Sequence, residues 1–122
     1  MEHIHLPHNH GERTQHIYER LPGAMEFQAV SDLFRQMGDS SRIRIFWILC
    51  HCEECVINLS AMMEMSSPAV SHHLRQLKSA GLLVSRRDGK EVYYKAAETE
   101  RVRALHDMIE TLLAMTCPGE NI

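Results

Sequence analysis

The run Cys50-His51-Cys52-Glu53-Glu54-Cys55 brings thiols, an imidazole and two carboxylates into one short stretch. Cys52 and Cys55 form a C-x-x-C pair, a spacing at which two thiolates reach one tetrahedral ion. Zinc sites usually show two such pairs, and this chain has one. Further ligands would come from Cys50, His51 or the histidines of the amino-terminal arm, such as His5 and His8. A mixed sulfur and nitrogen set suits zinc, cadmium, cobalt or nickel, whereas three thiols alone suit cadmium or trivalent arsenic. A structural reading stands beside this one, with Cys50 a buried core thiol and the other cysteines incidental. Enzyme chemistry is not expected. His72 and His73 are adjacent, so on a helix they point about 100 degrees apart, and no nucleophile and base pair stands out.

A second constellation, Ser66 to Lys95, has the makings of a nucleic-acid reader. Ser66 and Ser67 suit a helix N-cap, Pro68 the first helical position and Gly81 the stop. Val70, Leu74 and Leu77 form one apolar stripe, while Ser71, His72, Arg75 and Lys78 lie on or beside the opposite face. Two alternating runs follow, Leu82-Leu83-Val84 and Val92-Tyr93-Tyr94, joined by a hairpin turn at Asp88-Gly89. Within this stretch Arg75, Lys78, Arg86, Arg87, Lys90 and Lys95 outweigh Asp88 and Glu91, a balance of about +4. The formal charge of the whole chain is -3, so the remaining residues carry about -7 and phosphate attraction is concentrated on one surface. Candidate contacts are Ser67, Ser71, His72 and Arg75 in the major groove, with Arg86, Arg87 and Lys90 on phosphates or the minor groove.

These groups must be held by a small helical domain. The length of 122 residues supports one domain, and a 44% apolar share is ordinary for a globule. No run approaches the roughly 20 apolar residues needed to span a bilayer, and no signal-peptide core opens the chain, so a cytoplasmic protein without structural disulfides is expected. Residues 1–13 read as a flexible His-rich arm, 14–116 as the folded domain and 117–122 as a tail. A short helix is expected from about Thr14 to Leu21, and a second from Met25 to Met37. Ser40 or Ser41 then caps a very apolar core helix containing Ile43, Ile45, Phe46, Trp47, Ile48 and Leu49. Leu59, Met62 and Met63 mark a shorter helix leading into the one capped by Ser66, and together these make a helix-turn-helix. From Glu100 to Met115, Val102, Leu105, Ile109 and Leu112 repeat at spacings of three and four, the seam of a helix packed on a partner helix. The expected fold is therefore mainly α with a small β-hairpin, a winged helix-turn-helix, assembled as a homodimer on an inverted-repeat operator.

The run Pro68 to Gly81, with Leu82-Leu83, Arg86-Arg87-Asp88-Gly89-Lys90 and Val92-Tyr93-Tyr94, resembles the recognition helix and wing of the ArsR/SmtB family of winged-helix repressors. Leu33 to Ile45 resembles the same family's entry into the helix-turn-helix. The resemblance implies repression of transcription that an inducer lifts, and a dimer interface made by the first and last helices, here Ile17 with Val102, Leu105, Ile109 and Leu112. Some members bind metal through a Glu-Leu-Cys-Val-Cys-Asp-Leu segment. The matching run here is Glu53-Glu54-Cys55-Val56-Ile57-Asn58-Leu59, which keeps the first cysteine and replaces the second by Ile57. Another frequent family site uses an Asp-x-His pair and a His-x-x-Glu or His-x-x-His pair on the last helix. This chain shows Glu98-x-Glu100 and His106, so that pattern is absent. An alternative inducer chemistry also stands: Cys117 next to Pro118-Gly119 joining Cys50 or Cys55 in a regulatory disulfide or polysulfide link, as in redox-sensing relatives.

Overall fold

The computed structural model describes residues 5–116, in the order α1 (Glu12–Glu19), α2 (Ala24–Gln36), α3 (Ser40–His51), β1 (Glu54–Cys55), α4 (Val56–Met63), α5 (Ser67–Ser79), β2 (Leu83–Asp88), β3 (Glu91–Ala96) and α6 (Glu100–Thr116). They form two compact units, one ending at Asp32 and the other beginning at Leu33. In the first, α1 begins two residues before the expected Thr14, inside the segment read as a flexible arm. Gln15 and Glu19, one turn apart, are hydrogen-bonded along it at 3.2 Å.

The second unit is built around α3. Asp39, rather than Ser40 or Ser41, is its N-cap: the Asp39 carboxylate accepts from the Arg42 amide at 2.9 Å. A carboxylate three residues before that amide is in the right place to satisfy one of the helix's four orphan donors. Ile45, Phe46, Ile48 and Leu49 are buried, and against them pack Leu59 and Met63 of α4, Val70, Leu74 and Leu77 of α5, Leu82 and Leu83, and Val102, Leu105 and Ile109 of α6. Each fully buried large aliphatic or aromatic side chain stabilises by about 1.5–3 kcal/mol relative to exposure, so this cluster is what fixes the mutual pose of the helices. Met62, grouped with Leu59 and Met63 in the sequence, is exposed.

α4 ends at Glu64, which sits in the left-handed region at φ 54 and turns the chain toward α5. Ser66 caps α5 by accepting from the Ala69 amide at 3.3 Å. Gly81, at φ 78, closes it: its amide bonds Lys78 O, the Leu82 amide bonds Leu77 O, and Arg101 of α6 donates to the Ala80 carbonyl at 2.7 Å. The hairpin of β2 and β3 pairs Asp88 with Glu91 across Gly89-Lys90. A third strand was not foreseen. Glu54 and Cys55 pair antiparallel with Tyr94 and Tyr93, giving the sheet order β1-β3-β2 and tying the end of α3 to the wing. No helix among the described residues is long and apolar enough to cross a membrane.

Candidate functional site

α5 presents two chemically distinct sides. Val70, Leu74 and Leu77 are fully buried, whereas Ser67, His72 and Arg75 are exposed and Ser71 is half-buried. The side-chain hydroxyl of Ser67 shares a 3.1 Å hydrogen bond with that of Ser60 on α4, which joins the two helices at their turn. His72 and His73 separate as adjacent helix residues must. His73 is only 12% exposed and accepts from Arg42 Nε at 3.4 Å, with Asp39 at 4.0 Å. Burial lowers its pKa, so it serves as a neutral strut between α5 and the start of α3.

The wing cations differ in availability. Arg86 is engaged: Glu53 takes it in a fork at 2.6 to 3.0 Å, Asp88 lies at 3.7 Å, and its guanidinium sits 4.9 Å over the Tyr93 ring. Its hydrogen bond to Glu53 raises the Arg86 pKa and lowers that of Glu53. Arg87 donates from Nε to the nearby Gly89 carbonyl at 3.2 Å, and Lys90 is exposed at the tip. Lys78 donates to Ser85 at 2.6 Å, joining α5 to β2.

The six-residue chemistry of Cys50 to Cys55 is spread over a helix end, a cap and a strand. Cys50 is half-buried, and burial together with the Glu110 charge pushes its thiol up to about 11. Cys52 is exposed and its thiol donates to Ile48 O at 3.4 Å. Cys55 is buried, with its backbone in the bridge to Tyr93. His51 points elsewhere. It meets His106 and Glu110 of α6, with His51 Nε2 3.2 Å from Glu110 Oε1 and 3.2 Å from His106 Nε2, and His106 Nε2 3.1 Å from Glu110 Oε1. Trp47, one turn before His51 on α3, donates to the same Glu110 oxygen at 2.6 Å. That bond, with help from the two imidazoles, holds the Glu110 carboxyl below the usual carboxylate range. Among the described residues, these three are the group of metal-ligating side chains whose atoms converge within 4.8 Å, and no cysteine belongs to it. A cleft of about 390 Å³ runs beside them, lined by Cys50, His51, Cys52, Lys95, Arg103 and His106 among others.

His5 and His8 lie in the first unit, where they line a cleft of about 270 Å³ with His10 and Gln15. Of the expected dimer contacts, Val102, Leu105 and Ile109 are 2–7% exposed and belong to the protomer's own core. Leu112 projects outward at 53%, as does Ile17 of the first unit at 58%. Cys117 lies outside the described residues. Sequence reasoning passed over Glu110 and set His106 aside. Their i, i+4 spacing on one helix face was the available signal, but nothing local says that His51 meets them.

The profile of the bacterial regulatory protein, arsR family, matches residues 39–85. A transcriptional repressor SmtB homolog of Synechocystis sp. is 32% identical over 103 residues, covering 84% of this chain and 78% of that protein. A cadmium resistance transcriptional regulatory protein CadC homolog of Staphylococcus aureus is 36% identical over 77 residues, 62% of this chain and 63% of that protein. The solved homodimeric winged helix-turn-helix DNA-binding domain of Mb0332 from Mycobacterium bovis, a possible ArsR-family regulator, superposes with a TM-score of 0.65. Its identity is 27%, over 74% of this chain and 82% of that one.

Proposed function

Because this chain belongs to the arsR family of bacterial regulatory proteins, we propose that it is a homodimeric repressor that leaves an inverted-repeat operator when a transition or heavy metal ion binds. The observation that carries the reading is the connection between the two chemistries. The end of α3, with its thiols and imidazole, is tied to the wing by the β1–β3 pairing and by the Glu53–Arg86 fork. The same segment runs directly into α4 and α5. An ion gripped at this end of α3 is therefore one strand away from the DNA-reading surface. α5 offers Ser67, Ser71, His72 and Arg75 to base edges, and Arg87 and Lys90 extend toward phosphate. Relatives named for cadmium and arsenic resistance support a metal as the inducer; zinc, cadmium, arsenite, cobalt and nickel are the ions to try.

Coupling requires the ion to bind the free and DNA-bound states differently, typically by about 1–3 kcal/mol, and DNA must weaken metal binding by the same factor. Operator DNA mapped beside the protein's own gene, titrated by fluorescence anisotropy with and without each ion, tests this. Release by at least one ion, reversed by a chelator, is expected. Unchanged operator affinity with every ion would remove the metal response and leave only the DNA-binding part.

A further inference from the structure

We infer that His51, His106 and Glu110 form a nitrogen and oxygen metal site within one protomer, selective for a borderline divalent ion such as zinc or cobalt and independent of the cysteine thiols. The inference deepens the proposed metal response and rests on that reading for its regulatory meaning, though the binding itself does not depend on it. It differs from the last-helix pattern discussed above, because one ligand comes from the end of α3 and the other two are an i, i+4 pair on α6.

Three ligand atoms, His51 Nε2, His106 Nε2 and Glu110 Oε1, stand 3.1 to 3.2 Å apart on every edge of a triangle. Protons cannot satisfy that triangle. Glu110 Oε1 already accepts from Trp47, and a carboxylate oxygen has two lone pairs, so two further imidazole donors oversubscribe it. The edge between the two Nε2 atoms needs one nitrogen deprotonated, and its lone pair then faces the carboxylate as well. A single cation satisfies all three atoms at once. With zinc–nitrogen and zinc–oxygen bonds of about 2.0–2.2 Å, tetrahedral ligands stand about 3.3–3.6 Å apart. An ion at that bond length would sit about 0.7 Å above the triangle once its edges have lengthened by a few tenths of an ångström.

The surroundings fit as well. Trp47 orients the carboxylate from outside the ligand set, a supporting role that metal-binding carboxylates commonly need. The side chains are 45%, 25% and 44% exposed, so an ion can enter from solvent and a water can complete the fourth position. Two imidazoles and a carboxylate suit zinc, cobalt or nickel and have nothing to hold trivalent arsenic. The carboxyl-terminal end of α3 and the middle of α6 would then be joined by the ion.

The chain contains a single tryptophan, Trp47, whose ring centroid lies 4.2 Å from that of His51 at a tilt of 42°, which makes the site self-reporting. Metal-free full-length protein would be titrated with Co(II) under reducing conditions, without DNA, following absorbance and tryptophan fluorescence. The site predicts one Co(II) per protomer, visible tetrahedral ligand-field bands, no near-ultraviolet sulfur-to-cobalt charge-transfer band, and quenching of Trp47. His106→Gln and Glu110→Gln should each weaken binding by more than the about 10–100-fold typical of losing a supporting group. Cys50→Ser, Cys52→Ser and Cys55→Ser combined should leave it unchanged, and circular dichroism checks that each variant folds. A charge-transfer band lost in the cysteine variant, or Co(II) binding that spares Trp47 fluorescence, would overturn the site. Operator release by metal that persists in His106→Gln and Glu110→Gln would assign the response to other ligands. Co(II) bound here without effect on operator affinity would instead sink the metal-response reading and leave the site standing.

Discussion

The Trp47 indole donates to Glu110 Oε1 at 2.6 Å across 63 residues of sequence, fastening α3 to α6 beside the two histidines. Removing that donor while keeping an aromatic core side chain isolates its effect. Trp47→Phe should let the Glu110 carboxyl rise toward its ordinary range and weaken Co(II) binding by about tenfold or more, with His51 and His106 still present. Isothermal titration with Co(II) reads this directly, since the variant has no tryptophan to quench.

On α5, Arg75→Ala and His72→Ala should each cost about 1–3 kcal/mol of operator binding and relax sequence preference at the contacted base. Lys90→Ala should weaken all sequences alike and reduce the slope of log affinity against log salt by about 1. Competition against mutated operators at several salt concentrations separates the two patterns. Equal operator affinity for both α5 variants would deny α5 the reading role.

Asp39 caps α3, and the Arg42 amide, with His73 and the Arg42 side chain adding, holds its pKa below the ordinary value. A depressed carboxyl contributes stability above the unfolded pKa of about 3.9, and that stability is lost as pH falls through the lower folded value. Asp39→Ala should cost about 1 kcal/mol at neutral pH. Asp39→Asn should keep most of the cap and flatten the acid limb of stability. Urea unfolding from about pH 7 down to about pH 3 checks both, and an unchanged acid limb in Asp39→Asn would refute the assignment.

The three cysteines should label in a fixed order. Cys52 is exposed, Cys50 is half-buried with its thiol raised to about 11, and Cys55 is buried. Thiolate is the reactive form, so in a Cys117→Ser background iodoacetamide at neutral pH should modify Cys52 first and Cys55 only after unfolding. Peptide mass spectrometry over time reads the order. Early loss of Cys50 would mean that its surroundings are more open or more positive than the packing indicates.

Local chemistry was enough for α5 and the hairpin after it. Ser66, Pro68 and Gly81 bound α5, and its stripe of Val70, Leu74 and Leu77 is the buried one. The hairpin is marked by Asp88-Gly89, one residue before the loop Gly89-Lys90 that the strands adopt, because caps, turns and one-face periodicity act within a few residues. The same locality limits what can be foreseen. Periodicity says that Val102, Leu105 and Ile109 share a face, and only packing decides that the face is taken by this protomer's own core. Choosing Asp39 over Ser40 as the cap of α3 depends on where the first helical amide points, a single-residue matter.

By itself, then, the amino-acid sequence determined the helix-turn-helix, the wing and the basic balance of that surface, together with the family they resemble. Tertiary structure alone decided that His51 leaves the thiols beside it and joins His106 and Glu110, and that Glu53 claims Arg86. The physical reason is that spacing along a chain specifies which side chains share a face, whereas the ligands of an ion or the partner of a cation are set by which faces the core brings together. Here that core is Phe46 and Leu49 of α3 packed with Leu105 and Ile109 of α6, and burial of those apolar groups positions the polar ones at its rim.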